Sequence, residues 1–110
     1  MTDKIVVLST CVSAEEATRI GRALVEKKLA ACVNVMPAIH SIYRWKGVIE
    51  DDQESLLVIK SSRALFDQLR AEIEKLHSYE VPEVIAVPVV DGSEGYLAWL
   101  DRELAAHLEP

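Results

Sequence analysis

The 110-residue chain predicts an α+β fold: an antiparallel four-stranded sheet built in the order βαββαβ, with one further helix at the C-terminus. Three observations predict it. Strand-like runs rich in β-branched residues alternate with segments whose apolar residues recur at helical spacing. Between the two helical segments, Ile39–Lys60 reads as one long hairpin turning at Trp45-Lys46-Gly47-Val48. After the last strand, Leu97, Leu100, Leu104 and Leu108 align on one helical face.

Each element has its own signal. Residues 4–12 form the first strand. Ser13-Ala14-Glu15-Glu16 is a capping box, with Ser at the N-cap and Glu three residues on. The helix it opens carries Ala17, Ile20, Leu24 and Val25 and ends near Leu29. Ala31–Met36 forms the second strand, with Cys32 as core, and Pro37 marks a bulge or an edge position. In the hairpin, Gly47 supplies the positive φ of a tight turn. With Lys46-Gly47 as its loop, Tyr43 faces Glu50 and Ile39 faces Glu54.

Ser61-Ser62 opens the second helix, with Leu65, Leu69, Ile73 and Leu76 on one face. Val84–Val90 reads as a buried-type fourth strand, with Pro88 marking it as edge or bulged. Gly92-Ser93 opens the last helix. Two right-handed crossovers then give a ferredoxin-like arrangement with strand order 4-1-3-2, residues 1–110 forming a single domain.

The hairpin predicts an oligomer. At ~3.3 Å per residue, an arm of about a dozen residues spans about 40 Å. A domain of this length has a radius of gyration of about 13 Å. Ile42, Tyr43 and Trp45 at the tip are costly to leave in water, so the arm is expected to pack on a neighbouring subunit.

Half the chain is hydrophobic and 27% is charged, a globular balance. The net charge is −6, and Lys27-Lys28 is the only adjacent basic pair, which argues against nucleic acid. No apolar run approaches the ~18 residues of a membrane helix. Met1-Thr2-Asp3-Lys4 leads straight into a strand without a basic region and cleavage site, so a cytoplasmic protein is expected. Its two cysteines are then reduced.

The topology sorts the candidate ligands. Cys11 ends strand 1 at one end of the sheet, and Cys32 starts strand 2 at the other. About eight residues of strand, roughly 25 Å, separate them. A disulfide needs Cα atoms within about 7 Å, so no intrasubunit bond is expected. The second helix returns His77 to the end that holds Cys11, and Glu83 opens strand 4 there. Thiolate, imidazole and carboxylate together suit a divalent transition metal, and the first two also suit copper.

Structural roles compete with ligation. His77 also suits a helix C-cap, Cys11 a small buried hydrophobe, and Glu83 a partner for its own loop or a neighbouring subunit. His40 reads as a surface or interface group and His107 as solvated. Glu50-Asp51-Asp52 alternates faces on a strand and cannot converge on one ion without a bulge. No GxSxG, P-loop or GxGxxG is present, so no enzyme is expected.

Four ordered segments carry a resemblance: Lys28-Leu29-Ala30-Ala31-Cys32-Val33-Asn34, Ser41-Ile42-Tyr43-Arg44-Trp45-Lys46-Gly47, His77-Ser78-Tyr79-Glu80-Val81-Pro82-Glu83 and Gly95-Tyr96-Leu97-Ala98-Trp99-Leu100. Over nearly its whole length the chain resembles the CutA family, the divalent-cation tolerance proteins. The resemblance implies a ferredoxin-like subunit in a compact homotrimer that binds copper or another divalent ion. It implies ligands at His77 and Glu83, with the family's strand 1 cysteine falling on Cys11 or its position on Ser9 or Thr10. Where the family commonly reads His-Pro-Tyr, this chain has His77-Ser78-Tyr79. Tyr79 and Pro82 then shape the loop, and Tyr43 and Trp45 anchor the trimer.

The first expectation is thus a non-enzymatic, cytosolic, trimeric metal-binding protein. Two alternatives stand beside it. One is a trimeric small-molecule sensor or adaptor, by fold-level analogy with the PII signalling proteins. The other is a structural or partner-binding trimer in which the loop is interfacial.

Overall fold

Strand alternation decides which face of the sheet the helices cover. In β1 (Lys4–Cys11), Ile5, Val7, Ser9 and Cys11 point to one face and are buried, while Val6, Leu8 and Thr10 point to the other and are half-buried. The computed structural model describes residues 1–105.

α1 (Ala14–Glu26) starts where the capping box places it. Ser13 Oγ accepts the Glu16 N–H at 3.1 Å. Ala17, Ile20, Gly21 and Leu24 form its buried stripe. Gly21 lets the helix approach β2 closely, since a Cβ there would sit 3.0 Å from Val33 Cγ1.

β2 (Cys32–Trp45) and β3 (Val48–Ser62) form the long hairpin. Tyr43 pairs with Glu50 and Ile39 with Glu54, the register the sequence predicts. Lys46 and Gly47 both have positive φ, 50° and 82°, as a tight two-residue hairpin turn requires. The register shifts between Met36 and Ile39, so Pro37 marks a bulge, and β2 is also an edge strand. The longest dimension is 43 Å.

The sheet order is β2-β3-β1-β4, the expected 4-1-3-2 read from the other edge. The core lies on the helix-covered face, where Val7, Leu57 and Ile59 meet Ile20, Leu24, Leu69 and Ile73. Lys4 reaches Asp3 and Asp101, each at 2.5 Å, and so ties the last helix to β1. Burial disfavours its charge, but the hydrogen bonds to Asp101 and Asp3 outweigh that and raise its pKa.

Four expectations are corrected. Ser61 and Ser62 stay in β3, paired with Ile5 and Lys4; a 3₁₀ turn at Arg63–Leu65 then leads into α2 (Phe66–Leu76). The Ser61 hydroxyl is committed to Leu29 O at 2.7 Å, so it cannot cap a helix. β4 (Ile85–Pro88) is shorter than Val84–Val90 and exposed, because it is an edge strand paired on one side only. Cys32 is half-buried rather than core, since it opens an edge strand. α3 (Glu94–Glu103) stops at Leu104, whose φ and ψ of −93° and 153° are extended. Leu108 and His107 lie outside the described residues.

Candidate metal centre

Three elements meet where β1 ends. β1 delivers Cys11, the first turn of α1 delivers Glu16, and the C-cap of α2 is His77. α1 begins three residues after Cys11, so its first turn stays beside the strand end. Each of the three offers a donor atom, and these atoms lie within 4.8 Å of one another.

Hydrogen bonds fix the imidazole. His77 Nε2 lies 2.7 Å from Thr10 O, and a carbonyl only accepts, so Nε2 carries the proton. Nδ1 accepts the Tyr79 N–H at 3.0 Å, so it carries none. The ring is a neutral Nε2–H tautomer, with Cys11 Sγ 3.7 Å from Nε2. The Tyr79 ring lies 4.7 Å from it, tilted 45°.

Glu16 is a buried carboxylate compensated by the backbone. It accepts N–H bonds from Ser78 at 3.0 Å and Val12 at 3.4 Å. Burial alone raises its pKa, but the bonds from Ser78 and Val12 and the nearby His77 overcome this and lower it. Cys11 has no such compensation. Burial first, then the carboxylates of Glu16 and Glu54, push its thiol up to about 12. The cluster therefore holds a thiol and a carboxylate beside the Nε2–H imidazole. It can bind a soft or borderline cation by giving up protons.

Of the three residues expected at the site, the structure brings Cys11 and His77 together and leaves Glu83 apart, exposed on the wall of a neighbouring pocket. Glu16 takes the carboxylate position. Sequence reasoning saw Glu16 only as a capping residue; its place one helical turn beyond the end of β1 was the available signal. Cys11 and Cys32 are both free. His40 is exposed with Nδ1 3.2 Å from Asp51, and Tyr43 donates to Asp52 at 2.5 Å, so Asp51 and Asp52 serve opposite faces of the hairpin.

The adjoining pocket, about 690 Å³, opens where the hairpin tip meets the loop after α2. Thr10, Tyr43, Trp45, Glu54 and Tyr79 are among its walls. At its floor Tyr79 donates to Glu54 at 2.5 Å. Sequence reasoning missed this pair, because Glu54 and Tyr79 belong to different motifs.

Comparisons with known proteins place the chain in a family. The family model of the CutA1 divalent ion tolerance protein matches residues 5–103. The divalent-cation tolerance protein CutA of Thermus thermophilus is 48% identical over 95 residues, covering 86% of this chain and 92% of that protein. The human protein CutA is 50% identical over 91 residues, covering 83% of this chain; the chain spans only 51% of the human protein's length. Among solved structures, the Thermus thermophilus protein superposes with a TM-score of 0.90 at 45% identity, covering 93% of this chain and 99% of that one. CutA1 of Oryza sativa gives 0.90 at 41% identity, covering 93% and 94%.

Proposed function

The chain belongs to the CutA1 divalent ion tolerance family, and on that premise we propose that it is a non-enzymatic, cytosolic homotrimer that binds copper or another divalent ion through Cys11, Glu16 and His77. One observation carries this reading: a sulfur, an oxygen and a nitrogen donor from three separate elements lie within 4.8 Å. The mixed donor set suits copper or zinc better than magnesium or calcium. Ligation through Nε2 would exchange the His77–Thr10 and Cys11 contacts for metal bonds: the thiol would release its proton, and the Nε2 proton would move to Nδ1, which would give up the Tyr79 N–H. Glu83, exposed at the pocket, stands apart from these three donors.

Exposed apolar residues support the trimer. Ile42, Val48 and Ile49 on the hairpin and Ile85 and Val87 on β4 are each 47–71% exposed in the single chain, apolar side chains whose burial on assembly is favourable. Two free cysteines suit a reducing compartment.

Native mass spectrometry with Cu(II) and Zn(II) tests the reading. We expect a trimer that takes up one metal per subunit, with uptake lost in His77→Ala and weakened in Glu16→Gln but kept in Glu83→Gln. A trimer that stays bare at micromolar metal, or binds equally in His77→Ala, overturns it.

The pocket favours a second reading, a trimeric small-molecule sensor or adaptor resembling the PII proteins. At about 690 Å³ it falls in the range of small-ligand sites.

A further inference from the structure

We propose that the pocket between the hairpin tip and the loop after α2 is a binding site for an organic ammonium cation. This rests on the small-molecule reading and names its ligand class.

The walls state the chemistry. Tyr43 and Trp45 come from the hairpin, Tyr79 from the loop, and their rings share the cavity with the carboxylates of Glu54, Glu80 and Glu83. No lysine, arginine or histidine lines it among the described residues. Aromatic faces carry negative electrostatic potential and attract ammonium groups. Carboxylates add the formal charge, so a cation with an apolar body matches the walls better than a neutral or anionic ligand.

Glu54 makes the argument specific. Only 6% of it is exposed, and among the described residues no ion pair engages it. Its one side-chain hydrogen bond there comes from the neutral Tyr79 hydroxyl. Burial near Glu54 holds that phenol protonated, raising its pKa. A buried carboxylate without a cation is costly to maintain, and here the empty side of that carboxylate is a cavity. An ammonium group seated there supplies the missing charge through a charge-assisted hydrogen bond.

The strand pattern explains the placement. Glu54, Thr10, Tyr43 and Trp45 all point from the sheet face that the helices leave uncovered, opposite Cys11 and Ser55. The pocket therefore opens on the sheet face opposite Cys11, with Tyr79 as the residue it shares with the Cys11–Glu16–His77 cluster.

Isothermal titration calorimetry on the assembled protein tests the proposal. The probes are phenethylammonium, its neutral isostere phenethyl alcohol and the anion phenylacetate. We expect phenethylammonium to bind about tenfold or more tightly than the other two. Glu54→Gln should remove that preference, and Trp45→Leu, at a partly exposed position, should weaken all binding without unfolding the protein. Copper or zinc uptake should be unchanged in Trp45→Leu. Equal binding of the three probes, or a preference that survives Glu54→Gln, overturns the cation assignment and leaves a small-molecule pocket. Binding of none of them overturns both the cation assignment and the small-molecule reading, and points to a pocket filled by a neighbouring subunit.

Discussion

His77 and Cys11, 66 residues apart in the chain, meet with Nε2 3.7 Å from Sγ, and the same Nε2 donates to Thr10 O at 2.7 Å. The imidazole is thus held by the backbone of the strand that carries the thiol. Ligand and scaffold cannot be perturbed separately at this point.

Metal affinity should rise with pH. The Cys11 thiol is pushed up to about 12 by burial and by Glu16 and Glu54, so it is protonated at neutral pH and must lose its proton to ligate. Each unit of pH should then strengthen binding by about tenfold while that proton is released. Zn(II) affinity measured against a chromophoric chelator from pH 6.5 to 8.5 checks this. A flat profile excludes the thiolate as ligand.

Glu16 should link stability to acid. Its folded pKa is lowered relative to the unfolded value of about 4.3. Such a group contributes stability above the unfolded value and loses it as pH falls through the folded one. Urea unfolding should show stability declining below about pH 5, with a shallower decline in Glu16→Gln. At pH 7 the variant should be weaker by about 1–2 kcal/mol, because the neutral amide accepts the Ser78 and Val12 N–H groups less strongly.

Lys4 should act in the opposite direction. Its folded pKa is raised, so its contribution is complete below the unfolded value of about 10.4 and is lost as pH climbs through the folded one. Lys4→Met should flatten the alkaline limb of the stability profile. A wild-type limb already flat to pH 11 would show that the Asp3 and Asp101 contacts contribute nothing.

Ile49→Asp should separate assembly from folding. Ile49 is 65% exposed in the single chain, so a charge there costs a monomer little. In a trimer that covers the hairpin it is an unpaired charge at an interface. Light scattering should report dissociation with an unchanged circular dichroism spectrum. An intact trimer would place the interface elsewhere.

Ile73→Ala should weaken the whole domain by about 2–5 kcal/mol, as a fully buried side chain lost from the core does. Ile73 O also accepts the His77 N–H at 2.9 Å, so α2 positions the imidazole directly. Thermal unfolding of the variant gives the magnitude.

Local signals were legible wherever a neighbour in sequence is a neighbour in space. The Ser13 cap, the Lys46-Gly47 turn and the Tyr43–Glu50 register are all such cases. The second helix start was misplaced because Ser61 spends its hydroxyl on Leu29, 32 residues away, a partner that no local pattern reveals. The fourth strand looked buried because apolar runs do not distinguish a central strand from an exposed edge strand.

The sequence by itself determined the order of elements, the long hairpin, the sheet order and the end of the sheet at which Cys11 and His77 lie. These follow from periodicity, turn chemistry and the handedness of crossovers. Only the tertiary structure decided that Glu16 rather than Glu83 joins them, and that Tyr79 reaches Glu54. A ligand set depends on where side chains end within a few ångströms. That position is decided by how a helix seats on a sheet through packing between distant residues, which the residues along one segment do not encode.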